Sequence, residues 1–180
     1  PVVVALPAVV VLPLRALDGI EQTLALLFAE TERVRCGQRL LADKLFEVLL
    51  LQLLRWLLDH PGHGGMTEGL LQGLAHPKLA RALTAMHESP GAAWALEPMA
   101  RAAGMSRSAF AAEFKLHLGV TPAEYLLQWR VSLAQSMLLA GSPIKLASEK
   151  LGYASAASFS RAFAQSVGLS PRAWLQDRQA

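Results

Sequence analysis

A chain of 180 residues is long enough for one or two small domains. Apolar residues make up 53% of it, Leu and Ala above all, which excludes a disordered chain and favours helix over sheet. The net charge of +3 is unevenly placed, −1 over residues 1–90 and +4 over 91–180, so a polyanionic partner is expected for the second half.

Residues 1–14 are β-branched and broken by Pro7 and Pro13. They are expected to be the last strand or tail of a domain that begins upstream, in a chain truncated before Pro1. They lack the basic start of a signal peptide and are too short to span a membrane. Cys36 is the single cysteine, so no disulfide framework is possible and a cytoplasmic location is expected. Asp18 is placed to cap a helix running to about Arg33, with Leu24, Leu27 and Phe28 on one face. Gly37 breaks the pattern. A second helix is expected from about Gln38 to Asp59, with Leu41, Leu45, Val48, Leu49, Leu53, Trp56 and Leu57 as its apolar positions. Glu47, Gln52 and Arg55 interrupt its greasiest stretch, which marks a buried or dimerising helix rather than a membrane span. Two such helices joined by a short loop make an antiparallel hairpin.

Residues 60–65 (His-Pro-Gly-His-Gly-Gly) form a linker. His60, His63, His76 and His87 have no companion Cys and no supported spacing, so no metal site and no cofactor are expected. A short helical turn over 70–75 follows. Pro77 then opens a helix that runs to about His87, at the position proline favours.

The second half contains an internal repeat. Ala100, Gly104, Ser106, Phe110, Phe114, Gly119, Pro122 and Tyr125 overlay Ala147, Gly152, Ser155, Phe159, Phe163, Gly168, Pro171 and Trp174. From the serine onward every offset is 49 residues; it falls to 48 at the glycine and 47 at the alanine. The second turn is therefore two residues longer than the first. The small Ala permits a close helix crossing, the Gly supplies positive φ, and the Ser caps the next helix. Two Phe four residues apart point into one core. Thr121-Pro122 and Ser170-Pro171 open the following helices as cap and first-turn proline. Helix, tight turn, helix of this anatomy is a helix-turn-helix, whose second helix is free to enter a major groove. A single helix over 121–140 joins the copies. An all-α fold is expected, a tandem helix-turn-helix domain of about seven helices with an N-terminal helical hairpin.

These residues resemble the AraC/XylS family of transcription regulators. The first copy matches in 96–100, 104–108, Phe110, Phe114, 119–122, Tyr125-Leu126 and Trp129-Arg130. The second matches in Leu146-Ala147, 151–153, Ser155, 159–163 and 168–171. The likeness covers about 78–178. More loosely, 1–77 is similar to the tail and hairpin that follow a cupin-type sensor domain in one branch of the family. The resemblance implies domains at 1–75, the end of a truncated sensor and dimerisation domain, and at 76–180, the DNA-binding domain.

It implies a sequence-specific regulator of promoter DNA, usually an activator that touches RNA polymerase, with a homodimer through the 17–59 hairpin. The recognition helices would be 106–117, with Ser108, Ala111 and Ala112 toward the bases, and 155–167, with Ala157, Ser158 and Arg161. Arg161 is the one long donor in those sets, and Arg to guanine is the commonest specific contact. Ala111 and Ala112 offer thymine methyls only apolar contact, so the first unit should read shape more than hydrogen bonds. Ser106, Arg107, Lys115, Arg130, Lys145 and Ser155 are expected at phosphates. The family's Arg soon after the final aromatic is missing here, where Leu175 follows Trp174; Arg172 or Arg178 would replace it. No paired carboxylates, nucleophile–base set or phosphate-cradling loop is present, so an enzyme is not expected. A protein-interaction module built on the greasy helix is the remaining alternative, and salt-dependent DNA binding separates the two.

Overall fold

The computed structural model describes residues 19–32, 35–60 and 69–179. They fall into two compact units, one holding 19–60 and the other 69–179. All regular structure among them is helical. Among the described residues there are ten helices rather than about seven; seven of the ten lie in 77–179.

The first unit is the expected hairpin of α1 (Ile20–Thr31) and α2 (Gln38–Asp59). Gly19 occupies the N-cap of α1, with no side-chain cap. Asp18, expected to cap it, lies outside the described residues, as do the tail 1–14 and most of the 60–65 linker. Thr23 donates to Gln52 Oε1 at 3.0 Å, and the Gln38 side chain donates to the Glu30 carbonyl at 2.8 Å, which ties the two helices at both ends. The expected apolar faces need correction. Phe28 is 63% exposed, and Leu41 and Val48 are exposed too, alongside Leu26, Leu40, Phe46, Leu50 and Leu51. A two-helix hairpin can bury only one stripe of each helix, and α2 is apolar around more than one stripe.

The second unit runs α3 (Leu70–Ala75), α4 (Pro77–Glu88), α5 (Leu96–Ala103), α6 (Arg107–Leu118), α7 (Pro122–Leu139), α8 (Ile144–Lys150), α9 (Ala156–Val167) and α10 (Pro171–Gln179). It holds two separate cores. The first gathers Leu79, Leu83, Met86, Met99, Ala100, Phe110, Phe114, Tyr125 and Leu126. The second gathers Val131, Ala134, Leu138, Leu151, Phe159, Phe163 and Trp174. Helix α7 belongs to both: its N-terminal half closes the first core and its C-terminal half floors the second.

The repeat read from the sequence is visible in the aromatic packing. Phe110 and Phe114 sit 5.3 Å apart, and Tyr125 meets Phe114 edge-on at 5.6 Å. Phe159 and Phe163 sit 5.8 Å apart, and Trp174 meets Phe163 edge-on at 5.8 Å. All four Phe are fully buried. Such contacts add about 0.5–1.5 kcal/mol each beyond area burial.

Candidate nucleic-acid interface

Each helix-turn-helix is a short first helix, a turn and a longer second helix. In the first unit Gly104 ends α5 at φ 64°, the left-handed region, and Ser106 caps α6 by accepting from the Ala109 N–H at 3.3 Å. Arg81 reaches across from α4 to donate to the Ala103 carbonyl at 2.7 Å. That carbonyl is one of the four a helix C-terminus leaves unpaired. In the second unit 151–155 makes the longer turn, and Ser155 and Ser158 form a reciprocal capping box at the start of α9. Thr121 and Glu124 do the same for α7. The hydrogen bonds from Thr121 hold the Glu124 carboxyl below its ordinary pKa.

Of the residues expected at bases, Ser108, Ala112, Ala157 and Arg161 are exposed, while Ala111 and Ser158 are half-buried. Arg161 makes no ion pair with any described residue. The Ser158 hydroxyl is committed locally: it donates to the Ser155 carbonyl at 2.8 Å and accepts from the Ser155 N–H at 3.2 Å. Ala111, Ala112 and Lys115 of α6 line an open, largely apolar depression of about 960 Å³, with Leu116, Leu126, Leu127 and Trp94 around it. Around this depression the surface of α6 is apolar apart from Lys115, in keeping with its alanines.

Of the residues expected at phosphates, Ser106, Arg107, Lys115, Lys145 and Ser155 are exposed. Arg130 is different. It is half-buried, its Nε donates to the Pro90 carbonyl at 2.8 Å and its terminal nitrogen to the Ala92 carbonyl at 2.9 Å. Its guanidinium also lies 5.6 Å over the Tyr153 ring. Burial pulls the Arg130 pKa down and raises that of Tyr153. Arg130 therefore joins the loop before α5 to the turn of the second unit. The same junction contains a close backbone approach: a Cβ on Gly91 would run into the Lys150 carbonyl oxygen, and one on Gly152 into the Gly91 carbonyl oxygen. Arg178, one of the two replacements considered for the missing C-terminal Arg, lies 5.3 Å over Trp174.

Sequence reasoning missed Arg81, the structural use of Arg130 and the Gly91–Gly152 contact. Each joins segments more than 20 residues apart, and no local pattern reports such a pair. No described helix is long and apolar enough to cross a membrane.

The comparisons agree with this geometry. Residues 99–177 match a family model described as a helix-turn-helix domain, and 1–59 match one described as cupin. An AraC-like protein of Streptomyces antibioticus is 34% identical over 155 residues, which are 86% of this chain and 50% of that protein. The HTH-type transcriptional regulator AlkR of Acinetobacter baylyi is 34% identical over 148 residues, covering 82% and 47%. The chain thus spans about half the length of the curated relatives it matches. Among solved structures, the DNA-binding domain of the global transcriptional factor AdpA, in complex with a target DNA, superposes with a TM-score of 0.53 at 25% identity. That match covers 56% of this chain and 91% of that one.

Proposed function

Because the chain belongs to the AraC/XylS family of helix-turn-helix proteins, we propose that it is a sequence-specific transcription regulator that reads double-stranded promoter DNA through α6 and α9. The observation that carries this reading is the pair of capped second helices, each with an exposed face, mounted on the one helix α7. Eighteen residues make α7, about 27 Å long at 1.5 Å per residue. That is close to the ~34 Å between successive major-groove faces on one side of B-DNA. A monomer of this design reads two adjacent turns of the groove without a two-fold partner.

The division of labour is unequal. Arg161 supplies bidentate readout of guanine, with Ala157 beside it and Ser158 fixing the helix start. Ser108, Ala111 and Ala112 supply apolar contact and fit. Ser106, Arg107, Lys115, Lys145 and Ser155 neutralise or bind phosphates. Arg130 sets the spacing of the two units instead of meeting a phosphate. Residues 76–180 are the DNA-binding domain and 1–75 the end of a sensor domain. The regulator acts in the cytoplasm, as an activator touching RNA polymerase, and pairs with a second copy through the 17–59 hairpin.

The test starts from a random pool of duplex DNA, since the operator is unidentified. Selection with the purified chain should enrich one extended site, and log affinity should fall linearly with log salt. Equal affinity for selected and random duplex would end the reading.

A further inference from the structure

We propose that His76, Glu113 and His117 form a binding site for a divalent transition-metal ion of the zinc class, which would tie α6 to the junction of α3 and α4. Glu113 and His117 are one turn apart on α6, and His117 Nε2 lies 3.4 Å from Glu113 Oε2. Two ligands about 2.0–2.2 Å from a tetrahedral ion are roughly 3.4 Å apart, so this pair already has the bite. The third group arrives from another element: His76 sits between α3 and α4, and its ring centroid is 4.9 Å from that of His117. The ligand atoms of all three lie within 4.8 Å of one another, and each residue is half-buried. An ion therefore needs side-chain adjustment only. Two imidazoles and one carboxylate suit zinc, nickel, copper or cobalt, while calcium and magnesium want more oxygens.

Three protein ligands leave a position for water, and the partial burial leaves a path for the ion. The junction is held nearby by the backbone, since the Gly69 N–H donates to the His117 carbonyl at 2.8 Å. His76 also caps α4: the Leu79 N–H donates to its Nδ1 at 3.3 Å. An ion on Nε2 requires the ring proton on Nδ1, so ligation exchanges this long cap for a metal bond. The proposal is independent of the DNA-binding reading, because its test uses no DNA and Glu113 and His117, although on α6, are not among the residues placed at bases or phosphates.

The experiment uses the whole chain, stripped of metal, in a Cys36→Ser background so that the exposed thiol supplies no competing ligand. Zinc chloride should raise the melting temperature with one equivalent bound by calorimetry. Cobalt(II) should give visible ligand-field bands of a low-coordinate site. Glu113→Gln should weaken binding by at least about tenfold, and His117→Gln should abolish it. His76→Asn keeps a capping oxygen for α4 and should abolish the cobalt bands while the protein stays folded. No zinc-dependent shift and no cobalt bands in the parent chain would overturn the proposal. So would bands that persist unchanged in both His117→Gln and His76→Asn.

Discussion

Arg161 and Arg130 show how differently one residue type is used within a single domain. Arg161 projects from the middle of α9 with no ion-pair partner among the described residues, so its five donors are free for a base edge. Arg161→Ala should cost about 1–3 kcal/mol on the selected site, roughly ten- to a hundredfold in affinity, and little on random duplex. Competition binding with both DNAs measures the difference. Arg130 instead spends its donors on the Pro90 and Ala92 carbonyls. Arg130→Ala should therefore leave the salt slope unchanged, where loss of a phosphate contact would lower it by about one. It should also relax discrimination between sites whose two half-elements are one base pair nearer or farther. His87 gives a third residue-scale expectation. Its ring stacks on Trp129 at 4.1 Å and its Nε2 is 2.6 Å from the Tyr125 hydroxyl. Burial lowers its pKa from the ordinary 6.5. The unfolded chain then binds the proton more tightly than the folded one. Stability should fall as pH drops below about 6.5 and level off beneath the lowered folded value. Melting temperatures of the parent and His87→Gln between pH 5 and 8 check it, the variant losing that part of the slope.

At the scale of elements, caps and turns were the best-read features because they are local. Ser106, Thr121, Ser155 and Ser170 each accept from the N–H three residues on, as their spacing from proline or the apolar run implied. The two-residue difference between the turns followed from the shift in repeat offset. Ser155→Ala should cost about 1 kcal/mol by removing the α9 capping box, measured by denaturant unfolding. The α1–α2 hairpin was read correctly as a hairpin but not in its faces. Phe28, Leu41 and Val48 were placed on the packing side by periodicity and stand exposed. A helix as uniformly apolar as α2 has no single stripe for periodicity to find. If a second copy covers that surface, Phe46→Glu should shift the chain from dimer to monomer in sedimentation equilibrium. A dimer that survives the change would remove the hairpin from the interface.

At the scale of the molecule, the second unit is two small cores on one shaft. Neither core is large, and α7 contributes buried residues to both, from Tyr125 and Leu126 at one end to Leu138 at the other. The spacing of the two helix-turn-helix units is then a property of α7 together with the strap that Arg130 and the Gly91–Gly152 contact form. Gly152→Ala strikes this strap twice, since position 152 has φ 76° and a Cβ there would meet the Gly91 backbone. It should lower stability by about 1–3 kcal/mol and weaken binding to the selected two-part site more than to either half alone. Thermal unfolding and paired binding assays separate the two effects.

The amino-acid sequence by itself determined the helices of the second unit, their serine and threonine caps and the turn anatomy of the tandem repeat, because these depend on spacing within one or two turns. Tertiary structure alone decided which polar groups stay free. Arg130 and Arg161 look equally available in the sequence, yet the first is engaged with the distant Pro90 and Ala92 carbonyls and the second is exposed with no ion-pair partner among the described residues. It also brought His76 beside Glu113 and His117 across a separation that no motif encodes. The physical reason is the same in each case. A hydrogen bond, a close backbone approach or a ligand set forms between whatever the packing of distant helices brings within about 3–5 Å, and that packing is set by the shape of the two cores rather than by any local stretch of chain.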